Sequence, residues 1–147
     1  QKLKKGTSRT RSAAFPFELA YRLVNMYSMK YDLVYDPFSG TGTVTKAAIV
    51  SERNSISIDI DANLCAQATF DSVQSIAELN CYTMDRVSRH IKFINSLPVE
   101  KKEKLYDNVN HSFKVKTRQE TEILITFLSS IRLVDNKIVC TYEKADA

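Results

Sequence analysis

Residues 32–61 read DLVYDPFSGTGTVTKAAIVSERNSISIDID, and their pattern predicts the fold class. It opens with a short apolar run bounded by acids, which is typical of a buried strand. Two of the chain's three glycines lie in the turn that follows, and they indicate unusual backbone angles or close contact with a ligand. Residues 43–50 then predict a helix and residues 55–61 a second strand, which completes a right-handed βαβ unit with parallel strands. The sequence therefore predicts an α/β fold with a mostly parallel, twisted sheet flanked by helices.

The turn and the end of the second strand carry residues suited to ligand binding. Glycines allow the turn at residues 36–43 to approach a ligand, and the first N–H groups of the next helix can meet polar ligand atoms. An acidic residue at the end of the second strand can accept hydrogen bonds from both ribose hydroxyls, and Asp59 or Asp61 is placed to do so. The pattern indicates a site for a nucleotide-type cofactor.

The segments around the βαβ unit predict further helices. Apolar residues at helical spacing predict a helix over residues 18–27, just after Phe15-Pro16-Phe17. Beyond the unit, Asp61 is predicted to cap a helix over residues 62–79, and residues 85–97 predict an amphipathic helix.

The last part of the chain predicts two strands and one more helix. Residues 112–116 alternate apolar and basic side chains, which favours a half-buried strand, and residues 137–142 predict a final strand. Thr117 and Glu120 have the spacing of a capping box. The helix that this box predicts would carry on one face Ile123, Leu124, Phe127, Leu128 and Ile131. We expect one domain over residues 15–147, preceded by a basic arm at residues 1–14.

The net charge of +4, from 21 Lys and Arg against 17 Asp and Glu, does not by itself indicate a nucleic-acid-binding protein. The basic residues of the arm either contact nucleic-acid phosphates or form a solvated terminus. They are Lys2, Lys4, Lys5, Arg9 and Arg11. A second basic set, on the helix over residues 85–97, either faces phosphates or forms a solvated helix face. That set consists of Arg86, Arg89, His90 and Lys92.

The three cysteines are widely spaced and match no metal-ligand pattern, which predicts reduced thiols and a cytoplasmic location. They are Cys65, Cys81 and Cys140. The sequence has no apolar run of about 18 residues that would predict a membrane segment, and its two histidines are isolated. We therefore expect an intracellular, soluble protein with neither a metal site nor a membrane partner.

Residues 15–61, FPFELAYRLVNMYSMKYDLVYDPFSGTGTVTKAAIVSERNSISIDID, resemble the DNA amino-methyltransferases, which methylate adenine N6 or cytosine N4 with S-adenosylmethionine. In that family a segment with Phe-Pro, two residues and Leu precedes a strand ending in DPF.G.GT, a helix, and a strand ending in an acid. All three parts occur here in that order, although Arg11 replaces the family's usual histidine and Ser57 its frequent glycine. The resemblance implies a Rossmann-like methyltransferase fold, complete or incomplete in this chain.

The resemblance also implies where S-adenosylmethionine binds. Phe15 and Pro16 would border its methionine end, and Asp59 would hold the ribose hydroxyls, with Asp61 beside it. If a third strand begins at Cys81-Tyr82, Asp85 would lie near the adenine ring. The main binding loop would consist of Asp36, Pro37, Phe38, Ser39, Gly40, Thr41, Gly42 and Thr43.

The family's second motif does not occur in this sequence. Family members hold the flipped target base with Asp, Asn or Ser followed by Pro-Pro and an aromatic residue, whereas the prolines here are isolated, at Pro16, Pro37 and Pro98. No residue can therefore be assigned as catalytic. Because one subgroup carries that motif ahead of the cofactor segment, we expect it on a partner chain or on a missing N-terminal segment, with DNA as the substrate.

Two other functions remain open. RNA methyltransferases resemble DPFSGTG as well, although the preceding FPFEL favours DNA. A noncatalytic nucleic-acid-binding or regulatory subunit would keep the same fold as a scaffold.

Overall fold

The computed structural model describes residues 16–145, so the basic arm and Phe15 lie outside the described residues. The chain divides into two compact units, an N-terminal unit that ends at Phe70 and a C-terminal unit that begins at Asp71. Both units contain helices and strands, which confirms the α/β class. The strands form three two-stranded sheets within the described residues. The larger, mostly parallel sheet that the sequence predicts is therefore not found in residues 16–145.

The N-terminal unit contains the predicted βαβ arrangement. Its elements are α1 (Phe17–Tyr27), β1 (Leu33–Asp36), α2 (Thr43–Val50), β2 (Asn54–Ser57) and α3 (Ala62–Val73), which continues past the unit boundary. The two strands are parallel, with Leu33 opposite Asn54 and Asp36 opposite Ser57. The predicted helices at 18–27 and 43–50 and the parallel strands are confirmed, but β2 is shorter than the predicted 55–61.

Small side chains form the core between α1 and α2. Ala20, Val24 and Ala47 are buried there, and Val34 of β1 packs against them. The opposite face of the strand pair is open, since Leu33 and Tyr35 are 59% and 61% exposed. One face of this small sheet is therefore covered by helices, and the other presents apolar side chains.

The C-terminal unit consists of a long helix and two antiparallel hairpins. Its elements are α4 (Ile76–Ser96), α5 (Val99–Lys102), β3 (Tyr106–Asp107), β4 (Lys114–Val115), a 3₁₀ turn (Arg118–Glu120), β5 (Thr126–Val134) and β6 (Lys137–Lys144). Asn80 of α4 makes two hydrogen bonds to Leu128 of β5: its Nδ2 donates to the carbonyl oxygen and its Oδ1 accepts from the backbone N–H, both at 2.9 Å. One amide side chain thus links the helix to the longer hairpin.

The prediction of a helix after Thr117 is wrong. The capping box does form, since the Thr117 backbone N–H donates to Glu120 Oε2 at 2.9 Å, but it starts only the 3₁₀ turn, and β5 follows. β-Branched and aromatic residues favour a strand in this stretch. The next two residues, Asp135 and Asn136, both have positive φ, 48° and 59°, as a two-residue hairpin turn requires.

Two further predictions in this region are wrong. The third strand expected at Cys81-Tyr82 lies inside α4. The helix expected over residues 62–79 is broken between α3 and α4, where the buried Ser75 hydroxyl donates to the Ser72 carbonyl oxygen at 2.6 Å. Such serine bonds compete with the helical backbone. The helix predicted over residues 85–97 is confirmed as the second half of α4.

Among the described residues, no helix is both long enough and apolar enough to cross a membrane.

Candidate functional site

The loop between β1 and α2 is fastened to the end of β2. The Ser39 N–H donates to the Ile58 carbonyl oxygen at 2.8 Å, and the Gly40 N–H donates to Asp59 Oδ2 at 2.8 Å. Directly after β1, Asp36 Oδ1 accepts from the Phe38 N–H at 3.1 Å and closes a tight turn. The structure therefore brings together the two parts that the sequence singled out, the loop at 36–43 and the acid after β2.

The two glycines of this loop are needed for different reasons. Both have positive φ, 50° at Gly40 and 78° at Gly42, where L side chains are strained. A Cβ at Gly42 would lie 3.0 Å from the Cβ of Ala68 in α3, whereas a Cβ at Gly40 would meet no described atom within 4 Å. Gly42 lets the loop pack against α3, and Gly40 leaves open space beside its backbone.

The two acids after β2 have different surroundings. Asp59 is half-buried, and its Oδ1 accepts from the Asp61 N–H at 3.0 Å while its Oδ2 holds Gly40. Asp61 is exposed, and its Oδ1 accepts from the Asn63 N–H at 3.0 Å, which confirms that it caps α3. Only Asp59 is directed toward the loop.

The remaining residues of the loop differ in exposure. Phe38 is 85% exposed, Pro37 and Thr41 are also exposed, and Ser39 is buried. Thr43 begins α2 with Gly42 as its N-cap.

Two residues named in the sequence analysis lie outside this loop. Pro16 is the residue before α1. Asp85 lies in α4, where its carboxylate pairs with Arg89 at 2.9 Å. Its predicted position near the adenine ring depended on a strand at Cys81-Tyr82, and those residues are helical.

Sequence reasoning missed two residues of α3 that support the site. Ala68 faces Gly42, and the Cys65 thiol donates to the Asp59 carbonyl oxygen at 3.7 Å. Their spacing of three residues on one helix face is the only signal that the sequence offers. Cys65 is thus a packing residue at the back of the loop.

Comparison with known proteins shows which family the chain is similar to. The sequence profile of the DNA methylase family matches residues 1–70. The type II methyltransferase M.MthZI of Methanothermobacter thermautotrophicus is 41% identical over 136 residues, which is 92% of this chain and 37% of that protein. Residues 1–70, a little under half of the chain, therefore match the DNA methylase family, and the similarity to M.MthZI extends over most of the chain.

Other comparisons match smaller parts of the chain. The type II methyltransferase M.MjaI of Methanocaldococcus jannaschii is 54% identical over 54 residues, 37% of this chain and 18% of that protein. TTHA0409, a DNA modification methylase candidate from Thermus thermophilus solved with S-adenosyl-L-methionine, matches with a TM-score of 0.40 and 38% identity. That match covers 41% of this chain and 25% of the other. The chain thus spans little more than a third of the length of M.MthZI.

Proposed function

We propose that this chain is the S-adenosylmethionine-binding part of a DNA methyltransferase that methylates the exocyclic amine of adenine or cytosine. The observation that carries the proposal is the hydrogen bond from the Gly40 N–H to the Asp59 carboxylate. It joins the glycine loop to the acid after β2 inside the segment that matches the DNA methylase family. The proposal agrees with the names of M.MthZI and M.MjaI, which are both type II methyltransferases.

The residues of the site fit this cofactor. Carboxylate oxygens each accept more than one hydrogen bond, so Asp59 can hold Gly40 and bind ribose hydroxyls as well. The open space beside Gly40 allows a ligand to approach the loop backbone, and the first N–H groups of α2 point out of the N-terminal end of that helix.

The resemblance adds roles for the other loop residues. Phe38, Ser39, Thr41 and Thr43 would line the cofactor together with Asp36 and Pro37. Phe15 and Pro16 would border its methionine end. When bound, S-adenosylmethionine would supply an electrophilic methyl group, and the loop and Asp59 of this chain would bind and orient the cofactor. Positioning of this kind can supply much of the rate of a direct displacement.

The target base is held, in this proposal, by a polypeptide part beyond the described chain, either a partner chain or another segment. The sequence has no Pro-Pro pair, and M.MthZI is much longer than the part matched here. The strand pair in the N-terminal unit supports the proposal too. The Asp32 and Asp36 carbonyl oxygens accept from the Asn54 and Ile58 N–H groups of β2 and the residue after it, both at 2.9 Å.

The backbone groups of Leu33 and Tyr35 therefore point to the opposite edge of β1. Within residues 16–145, no strand pairs with that edge. An open edge beside exposed apolar side chains is suited to pairing with another polypeptide. We assign to this open edge of β1 the part of the methyltransferase that the chain does not match.

Calorimetry with S-adenosylmethionine tests the cofactor site. We expect the Asp59→Ala substitution to weaken binding about 30-fold, because it removes hydrogen bonds to a charged group worth about 2 kcal/mol. The matched control is Asp61→Asn, since asparagine also caps helices well and should leave binding unchanged. Equal losses in both variants would mean that Asp59 has no special role.

A second variant separates ligand contact from loop folding. Asp59→Ala also removes the acceptor for the Gly40 N–H, so it can displace the loop. Phe38 is 85% exposed, and Phe38→Ala should weaken cofactor binding without lowering the melting temperature. A folded wild-type chain that binds no S-adenosylmethionine would favour the noncatalytic subunit instead.

A further inference from the structure

Positive charge is concentrated in one segment of the C-terminal unit. Residues 86–118 contain nine Lys and Arg but three Asp and Glu, a net charge of +6. Residues 12–85 and 119–147 together contain seven Lys and Arg against fourteen Asp and Glu. The whole chain has a net charge of only +4. Outside the N-terminal arm, its basic character therefore comes from this segment.

The fold brings the basic residues of α4 and β4 onto one surface. His90 Nε2 donates to the Lys114 carbonyl oxygen at 2.8 Å, and the edge of its ring contacts Phe113, with ring centroids 5.3 Å apart. Just beyond β4, the Lys116 ammonium lies over the Phe93 ring of α4, 5.1 Å from its centroid. Because Arg86 and Arg89 share the helix face of Phe93, Lys116 extends that basic face.

A cleft connects Lys102, one of the two lysines of α5, to the same surface. Lys102 and Lys114 both line this cleft, which has a volume of about 400 Å³. Its apolar floor is formed by Ile91, Ile94 and Phe113, among others. Basic side chains from α5 and β4 thus line a cleft beside α4 in the C-terminal unit.

The ion pairs of Arg89 and Lys114 do not prevent these two residues from binding a phosphate. Arg89 pairs with Asp85 and Lys114 with Asp107, both at 2.9 Å, and all four side chains are about half exposed or more. Exposed pairs of this kind contribute little stability and are screened by salt. A phosphate can therefore replace the carboxylate at low cost.

We infer that this surface, the basic band, binds the phosphates of duplex DNA. The band consists of Arg86, Arg89, Lys92, Lys102, Lys114 and Lys116, together with Arg118, which follows Lys116 by two residues in the 3₁₀ turn. On α4 alone, Arg86 and Lys92 are about 9 Å apart along the helix axis, which suits a polymer of phosphates better than a single anion. The inference rests on the proposed function in one respect: DNA is the polyanion on which a DNA methylase acts.

The test compares two triple variants with the same change in charge. The first, Lys92→Gln/Lys116→Gln/Arg118→Gln, removes exposed charges of the band; the control, Arg132→Gln/Lys137→Gln/Lys144→Gln, removes exposed charges of the β5–β6 hairpin. Fluorescence anisotropy of a labelled 20-base-pair duplex is measured between about 50 and 200 mM salt, where phosphate contacts dominate the change in affinity. None of the six residues belongs to the proposed cofactor site.

We expect the band variant to reduce the slope of log affinity against log salt by about 2 to 3, because each lost phosphate contact reduces it by roughly 0.9. The control should keep the wild-type slope. Equal slopes for the two variants would overturn the inference, because only net charge or the N-terminal arm would then matter. The inference would also be overturned if the band variant kept duplex DNA binding but lost binding to single-stranded RNA.

Cofactor binding separates this inference from the proposed function. Both variants should bind S-adenosylmethionine as the wild type does, since the substitutions lie outside the N-terminal unit. If the wild type binds no cofactor while the slopes still differ, the DNA surface stands and the methyltransferase function fails. If the cofactor binds and the slopes agree, the reverse holds.

Discussion

Gly40 and Gly42 lie two residues apart in one loop, yet we expect their substitution by alanine to have different effects. At Gly42 a new Cβ would crowd Ala68 at 3.0 Å in a backbone with φ of 78°. The crowding and the unfavourable φ together should cost about 2 to 3 kcal/mol of the free energy of unfolding. At Gly40 only the unfavourable φ applies, which costs about 1 kcal/mol.

Urea unfolding and calorimetry of the two glycine variants distinguish these effects. Gly40→Ala should lose more S-adenosylmethionine affinity than stability, because its Cβ would occupy the open space beside the loop. Gly42→Ala should lose more stability. A Gly40→Ala variant with unchanged affinity would show that the cofactor does not approach the loop there.

His111 makes the stability of the C-terminal unit depend on pH. It is only 9% exposed, and its Nε2 accepts from the Ile125 N–H at 2.9 Å. Burial lowers the pKa of His111 below 6.5, the nearby Lys144 lowers it further, and a backbone hydrogen bond with Ala145 acts in the opposite direction. Protonation would place a charge in the interior and remove the acceptor for Ile125.

We therefore expect the free energy of unfolding to fall as the pH falls below 6.5. The unfolded chain binds the proton more tightly than the folded one, so stability rises with pH between the two pKa values, by at most about 1.4 kcal/mol per pH unit for one group. Urea unfolding at several pH values measures this slope. His111→Gln should remove the histidine contribution, and His90→Gln should keep it. A slope that survives His111→Gln would have to come from other groups.

Cys140 and Cys81 should differ in reactivity toward alkylating reagents. Burial raises the pKa of the Cys140 thiol, although a hydrogen bond with Tyr142 partly offsets the effect. Cys81 is exposed on α4. Because the thiolate is the nucleophile, iodoacetamide at about pH 8 should label Cys81 first. Mass spectrometry of peptides from a time course measures the order, and faster labelling of Cys140 would mean that the β5–β6 hairpin opens readily.

At the scale of the elements, the sequence predicted those whose local signals agree with their packing. The α2 helix has the predicted bounds, because the glycine turn fixes its start and Ala47 packs against α1. The segment that becomes β5 was predicted as a helix because Ile123, Leu124, Phe127, Leu128 and Ile131 also fit helical spacing. Its pairing with β6, eight partners long, decides the structure. Periodicity within one segment cannot show that pairing.

The junction between α4 and β5 depends on a residue that no sequence pattern singled out. Asn80→Ala would leave both the N–H and the carbonyl oxygen of Leu128 without their side-chain partner, and Leu128 is buried. We expect the free energy of unfolding to fall by about 2 to 3 kcal/mol, measured with urea. Asn95→Ala, an exposed position on the same helix, should change it by less than about 0.5 kcal/mol. Equal effects would show that the Asn80 amide does not link the two elements.

At the scale of the whole molecule, the sequence identified the loop and the acid of the candidate site but did not decide between Asp59 and Asp61. Both acids lie close after β2, and only the three-dimensional path of the chain shows that Asp59 turns to Gly40 while Asp61 caps α3. The basic band shows the same limit. Its residues are separated in the sequence by the α5 connection, and the contacts of His90 and Phe93 with residues 114 and 116 bring them together.

The chain carries the proposed cofactor site, but its sequence has no Pro-Pro-aromatic segment to hold a target base. We therefore expect it to bind S-adenosylmethionine without transferring the methyl group to DNA. Adding the part of M.MthZI that this chain does not match should restore transfer, because that part would cover the exposed face of β1 and β2. Incorporation of a labelled methyl group into duplex DNA measures transfer by the chain alone and by the chain with the added part.

The exposed tyrosines supply a matched pair of variants for that measurement. Tyr35 lies on the open face of β1 at 61% exposure, and Tyr27 lies at the end of α1 at 79% exposure. Tyr35→Asp places a charge where the added part must pack, so it should abolish the restored transfer while cofactor binding persists. Tyr27→Asp makes the same change away from the strand pair and should have little effect. Transfer by the unmodified chain alone would instead mean that residues within it hold the base, and the open face would then need a different occupant.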